Sequence, residues 1–289
     1  MSFEERIERC LSESVEASRS ASCPPGLEQA VYQAVFPGGA RVRPKICLAV
    51  AEACGEDHPS VSDAAAAAIE LLHCASLVHD DLKCFDDSPI RRGRPSVHHA
   101  FGEPLAVLAG DALIVLAFET LTRVADQAPE RLAPLVRILT EAVGMRSGII
   151  AGQAWECEPK VNLDEYQQLK TGSLFAAATA AGAAAAGADS APWLALGQHI
   201  GSAYQVVDDI QDVAGDAEKL GKPIGQDEAR GHPSSVQEMG LDGARRHFKS
   251  VVAGIVEKIP HCPGEDRLRA RMIEESSKFL PDALAENAA

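Results

Sequence analysis

Aromatic residues make up only 4% of this 289-residue chain, and basic residues are too few to balance acidic ones, leaving a formal net charge of −15. Scarce aromatics beside alanine-rich stretches at 64–68 and 176–186 disfavour a sheet core and favour helix, because alanine has the highest helix propensity. The deficit of basic charge removes nucleic acid as a partner, since a phosphate backbone is bound by a basic face. A small phosphorylated molecule stays open, because divalent cations reverse the local field. There is no Gly-x-x-x-x-Gly-Lys-Ser/Thr loop and no Gly-x-Ser-x-Gly elbow, so nucleotide hydrolysis and serine-esterase chemistry have no basis. The eight cysteines (10, 23, 47, 54, 74, 84, 157 and 262) form no Cys-x-x-Cys pair and read as reduced thiols of a cytoplasmic protein. The opening MSFEERIERC is too acidic and polar for a signal peptide, and no apolar run is expected to reach membrane-spanning length. A mid-chain linker is also lacking, so the expectation is one all-α domain over residues 1–289.

What is present is helix punctuated by breakers. Helices are expected at 41–54 after Phe36-Pro37-Gly38-Gly39, at 64–81 with Ser62 and Asp63 as N-caps, and at 104–118 opening on Pro104. Further helices are expected at 129–144, 147–155, 163–187 and 193–214. Residues 215–235, rich in Gly, Pro and charge, read as a long loop, and loops of that length are usually functional. Helix returns from 240 to 284, interrupted near Pro260 and Pro263.

Two acidic clusters end apolar helices: HDDLKCFDD at 79–87 and YQVVDDIQD at 204–212. Asp208 and Asp212 lie about one turn apart on one helical face, and Asp209 points elsewhere. Asp80 and Asp86 would be about 240° apart on a continuous helix, so sharing a ligand requires the helix to end around residues 83–85. Crowded carboxylates either face water or hold a cation. Hard oxygen donors suit Mg²⁺, which shares its remaining positions with water and phosphate oxygens. Arg91-Arg92-Gly93-Arg94 is either an anion clamp, through bidentate guanidinium contacts, or a neutraliser of the aspartates before it. Arg41 and Arg43 in GGARVRP, and Lys170 and Thr171 in LKTGSLF, are weaker basic or polar knots. A di-iron carboxylate bundle needs two Glu-x-x-His motifs, and only Glu70-Leu71-Leu72-His73 fits.

In combination, Asp80-Asp81-x-x-x-x-Asp86 with Arg91-Arg92-Gly93, Gln205-x-x-Asp208-Asp209-Ile210-x-Asp212, KTGSLF and GKPIGQD resemble the trans-type isoprenyl diphosphate synthases, the polyprenyl synthetase family. The likeness runs from Gly38 to about Ser235. It implies the isoprenoid synthase fold, a large helical bundle with a central cavity between two Asp-rich helix ends. It also implies head-to-tail condensation of isopentenyl diphosphate with an allylic diphosphate, by a homodimer. By this resemblance Asp80, Asp86, Asp208 and Asp212 are metal ligands for Mg²⁺, three ions per active site, and Asp81 and Asp209 are catalytic companions in the same motifs. Arg91, Lys170 and Lys222 would assist on the allylic side; Lys170, Thr171 and Gln205 would face the carbocation. Arg43, Arg92 and His73 would hold isopentenyl diphosphate, with Arg41 compensating for Ala40, which stands where the family usually has lysine. Lys83, Glu156 and His232 are further departures, from a proline, an aspartate and a Gly-Lys pair.

Chain length in this family is set beside the helix bearing the first motif. Ala75 and Ser76 are small, whereas similar enzymes that stop at fifteen carbons often carry an aromatic residue at the position of Ala75. Geranylgeranyl diphosphate is therefore the expected product, with Phe101, Leu105 and Leu108 as the floor; farnesyl diphosphate and a non-catalytic modulating subunit are the alternatives. Ala40 and Glu156 add a similarity to the geranylgeranyl diphosphate synthases of phototrophic purple bacteria, which serve carotenoid synthesis.

Overall fold

The computed structural model describes residues 1–36, 38–160, 162–214 and 234–278. Among them, helix is interrupted only by short connections and one minimal β-ribbon. Helix α1 (Phe3–Ala17) opens on a capping box: Ser2 Oγ accepts from the Glu5 amide, and the Glu5 carboxylate accepts from the Ser2 amide. Its Ile7, Leu11 and Val15 recur every fourth residue and are buried. α2 (Pro25–Val35) follows, and then α3 (Val42–Ala53) and α4 (Pro59–Asp80). Neither α1 nor α2 is among the helices expected from sequence.

α4 is the central helix and packs against α1 and α3, and against α6 (Glu103–Thr122) and α10 (Ser173–Ala185). Alanines 64–68 of α4 and most of α10 are buried, so the core gains close helix approach where bulky side chains would hold the axes apart. Larger buried side chains, Leu48, Ile69, Leu71, Leu113 and Phe175 among them, each contribute about 1.5–3 kcal/mol.

Between α4 and α6 lie β1 (Ile90–Arg91), β2 (Arg94–Pro95) and the short α5 (Val97–Phe101). The strands pair antiparallel, Ile90 with Pro95 and Arg91 with Arg94. The two residues joining them, Arg92 and Gly93, both have positive φ (53° and 73°), the pattern of a two-residue I′ hairpin turn. α7 (Pro129–Val143), α8 (Ile149–Trp155) and α9 (Leu163–Gln167) lead through a π-helical turn, Gln168–Gly172, into α10. α11 (Trp193–Ala214) packs on α10 and on α12 (Ser235–Glu257), which is kinked at Gly240; α13 (Glu265–Lys278) follows.

Three expectations need correction. α4 begins at Pro59, so Ser62 and Asp63 are not caps. Asp63 is instead a buried acid in the second turn, ion-paired with Arg6 (2.6 Å) and Arg9 (2.9 Å) of α1. The helix expected at 163–187 contains the π turn. And two segments, Pro59–Asp80 and Glu103–Gln127, are long and apolar enough to cross a membrane by length and composition, although 83% of the window in the first is buried against other helices.

Candidate active site

α4 ends where the first acidic cluster begins. The chain folds back into a compact turn in which the Asp86 amide donates to the Asp80 carbonyl (2.9 Å) and the Asp87 amide to that of Leu82 (3.0 Å). Leaving the helix removes the angular conflict between Asp80 and Asp86, as the spacing required. Asp81 is buried and takes a bidentate contact from Arg91, with Nε 3.0 Å from Oδ1. Burial raises the Asp81 pKa despite the opposing Arg91 pairing. Arg91 thus acts here as the neutraliser of Asp81, the blander of its two readings.

The second acidic cluster ends α11. Asp208 is half-buried and Asp212 buried, one turn apart on the helix. Asp209 is turned into the core, where it accepts from Gln205 Nε2 (2.8 Å) and from the amide of Ser235 at the start of α12 (2.7 Å). Burial raises its pKa, while both hydrogen bonds oppose the rise. Asp81 and Asp209, expected as catalytic companions, are thus both buried and hydrogen-bonded within the protein, to Arg91 and to Gln205 and Ser235 respectively.

The π turn joins the two ends. Lys170 Nζ lies 3.2 Å from Asp80 Oδ1 and 2.5 Å from Glu156 Oε1, while Thr171 Oγ1 donates to Gln205 Oε1 (2.7 Å). Adjacent residues thereby reach the first acidic cluster and the residue one turn before the second. Burial would lower the Lys170 pKa, but Asp80, Tyr166 and Glu156 outweigh it and hold the ammonium charged. Glu156 also accepts from Tyr166 OH and Gln153 Nε2. Sequence reading noted Glu156 only as a departure; it proves to be the second anchor of Lys170.

Beside this bridge lies a cluster of arginines. Arg43 sits 4.3 Å above the Phe175 ring and 5.7 Å from that of Tyr204, its Nη1 donates to His73 Nε2 (3.3 Å), and its Nε is buried without a partner among the described residues. Burial lowers the Arg43 pKa. His73 is pushed well below the ordinary imidazole value, by burial and then by the charges of Arg43, Arg92, Arg91 and Arg41. Arg92 donates to the Gly38 carbonyl (2.7 Å) and lies 3.6 Å from Glu70. A Cβ on Gly39 would fall 2.7 Å from the Arg92 guanidinium, so the missing side chain at Gly39 is what leaves room for that group.

Arg41 is a correction. It is 5% exposed, and its guanidinium is held by Glu8 (2.7 Å), Glu70 (2.7 Å) and the Val35 carbonyl (2.7 Å), so it does not stand in for a lysine at position 40. The missed residue is Glu70, a buried acid between Arg41 and Arg92. Its signal was an acid within the apolar run of α4.

Ala75 is buried on α4, and the Ser76 hydroxyl donates to the His73 carbonyl (2.8 Å). Phe101 and Leu105 are partly buried, whereas Leu108 is 51% exposed and forms no floor within one chain. Lys222 and His232 lie outside the described residues.

Two acidic helix ends, a lysine bridge and a cluster of arginines lie together, an arrangement chemically able to hold a polyanion with cations. The polyprenyl synthetase family pattern matches residues 24–267. A geranylgeranyl diphosphate synthase of Cereibacter sphaeroides is 50% identical over 285 residues, 99% of each chain. One from Rhodobacter capsulatus is 52% identical over 274 residues, 95% of this chain and 94% of that one. The fold is similar to that of a Helicobacter pylori geranyltransferase crystallised with magnesium and isoprenyl diphosphate (TM-score 0.84, 30% identity, 96% of both chains). With the motifs in place at both helix ends and the match running nearly the whole length, the chain belongs to the polyprenyl synthetase family.

Proposed function

We propose that this chain joins isopentenyl diphosphate head to tail to an allylic diphosphate and stops at geranylgeranyl diphosphate. Prenyl chain elongation is the family's reaction, and the chain is a prenyltransferase. The observation that carries the reading is the Lys170–Thr171 turn, which ties Asp80 on one acidic helix end to Gln205 beside the other.

Asp80, Asp86, Asp208 and Asp212 form a donor set of hard carboxylate oxygens, which fits Mg²⁺, and three ions would be held there with the allylic diphosphate. Bound Mg²⁺ supplies Lewis-acid stabilisation of the charge that develops on the departing diphosphate. Lys170 adds a fixed positive charge beside Asp80. The oxygens of Thr171 and Gln205, already oriented by their mutual hydrogen bond, face the allylic cation without offering a competing nucleophile. Arg43, Arg92 and neutral His73 receive isopentenyl diphosphate; the Nε of Arg43, without a partner among the described residues, is a donor left for it. Held there, its double bond attacks the allylic carbon as the carbon–oxygen bond breaks, and proximity provides much of the acceleration. The released diphosphate takes the final proton, so no protein base is needed. Lys222 belongs to the allylic side in this scheme, on the family resemblance alone.

The small, buried Ala75 supports a twenty-carbon product, one suited to carotenoid synthesis. The continuous core from Ile7 to Met272 supports one domain over residues 1–289. Eight free thiols support a cytoplasmic location. Exposed Val107, Leu108 and Val115 on α6 support a homodimer through that helix, for which sedimentation should return twice the chain mass rather than the chain mass itself.

The test is incubation of pure protein with Mg²⁺, labelled isopentenyl diphosphate and allylic primers of five, ten and fifteen carbons, with products resolved by carbon number. Accumulation of the twenty-carbon diphosphate is expected. Termination at fifteen carbons would overturn the product, and no elongation from any primer would leave a modulating subunit.

A further inference from the structure

Behind the aspartate turn, Asp87, His98 and His99 bring one carboxylate oxygen and two ring nitrogens within 4.8 Å of one another. We propose that these three side chains form a binding site for a divalent transition-metal ion, Zn²⁺ by preference, separate from the carboxylates that face the diphosphate. His98 carries the inference. Its side chain is 1% exposed, yet its Nε2 is buried without a hydrogen-bond partner among the described residues. Nε2 lies 3.5 Å from Asp87 Oδ1, too long for a good hydrogen bond. Two ligands of a tetrahedral ion, each at about 2.0–2.1 Å, stand about 3.4 Å apart, so the spacing suits a shared metal better than a direct contact.

The other ring nitrogen of His98 has a partner of the right kind. Nδ1 is 3.0 Å from the hydroxyl of buried Ser96, and in the tautomer where Nδ1–H donates to that oxygen the Nε2 lone pair faces Asp87 and His99. Metal-ligating histidines are commonly oriented in this way through their second nitrogen. Asp87 and His99 are exposed, so small side-chain rotations bring both to bonding distance and leave a fourth position for water. Two imidazoles and one carboxylate select a borderline ion and disfavour Mg²⁺, which takes oxygen donors. An ion there would clamp the turn carrying Asp86 to the start of α5.

The full-length protein, saturated with Mg²⁺ to occupy the other carboxylates, is titrated with Zn²⁺ by calorimetry and with Co²⁺ by visible absorption. One Zn²⁺ per chain is expected, with tetrahedral Co²⁺ bands and no thiolate charge-transfer band from exposed Cys84 or Cys157. Affinity should fall more than about tenfold in His99→Ala, whose exposed position leaves folding intact, and about tenfold in Ser96→Ala. Wild-type affinity in His99→Ala, a thiolate band, or no bound Zn²⁺ would overturn the proposal.

Discussion

His73 shows how far the surroundings set a residue's chemistry. Burial, and then four nearby guanidinium groups, keep it neutral in the folded chain, whereas the unfolded chain protonates it near pH 6.5. Below that pH the unfolded state binds more protons, so stability is fully present above about 6.5 and falls as pH drops. Thermal melts at pH 7.5 and 5.5 should therefore differ more for wild type than for His73→Gln; equal differences would contradict a neutral His73. The residue's identity as a polar group on an apolar helix was visible in sequence, but its charge state was not, because the four arginines, 41, 43, 91 and 92, all come from outside its own helix. Arg41 failed for a related reason: a basic residue next to a diglycine is the same string of letters whether it meets substrate or two buried acids, Glu8 and Glu70.

Elements position the groups, and here two spacings decided the outcome. An end to α4 around residues 83–85 was expected on the condition that Asp80 and Asp86 share a ligand, and the helix ends slightly earlier, at Asp80. The π turn at 168–172 was not expected, because Gln168, Leu169 and Lys170 are ordinary helix formers, Thr171 and Gly172 read equally as a loosened helix, and nothing in the letters marks an extra residue per turn where the segment packs against α8 and α11. The missed α1 announces itself by Ser2-x-x-Glu5, a capping box at the very start of the sequence. Asp209 is the joint between α11 and α12, accepting from Gln205 and from the Ser235 amide. Removing a charged acceptor from such bonds costs about 1.5–3 kcal/mol each. Asp209→Ala should lose roughly 3 kcal/mol in denaturant unfolding and lose hydrogen-exchange protection at the start of α12; unchanged protection there would remove Asp209 from this role. On α4, Ala75→Phe should shift the product from twenty towards fifteen carbons, at a stability loss of about 1–3 kcal/mol from overpacking. An unchanged product spectrum by chromatography would reject Ala75 as the ruler.

For the molecule as a whole, scarce aromatics and the alanine-rich composition made an all-helical protein readable from sequence, while the two aspartate clusters, not the net charge of −15, pointed to a cation. What composition could not convey is that two acidic helix ends from distant parts of the chain are joined through Lys170 and Thr171. If Asp80 and Asp208 serve one shared diphosphate site, their contributions must be strongly non-additive. Calorimetric binding of inorganic pyrophosphate in the presence of Mg²⁺ measures this directly on wild type, Asp80→Asn, Asp208→Asn and the double variant. Each single change is expected to weaken binding more than about tenfold, and the double variant should bind little worse than either single one. Wild-type affinity in either single variant, or losses that simply add, would contradict a common site.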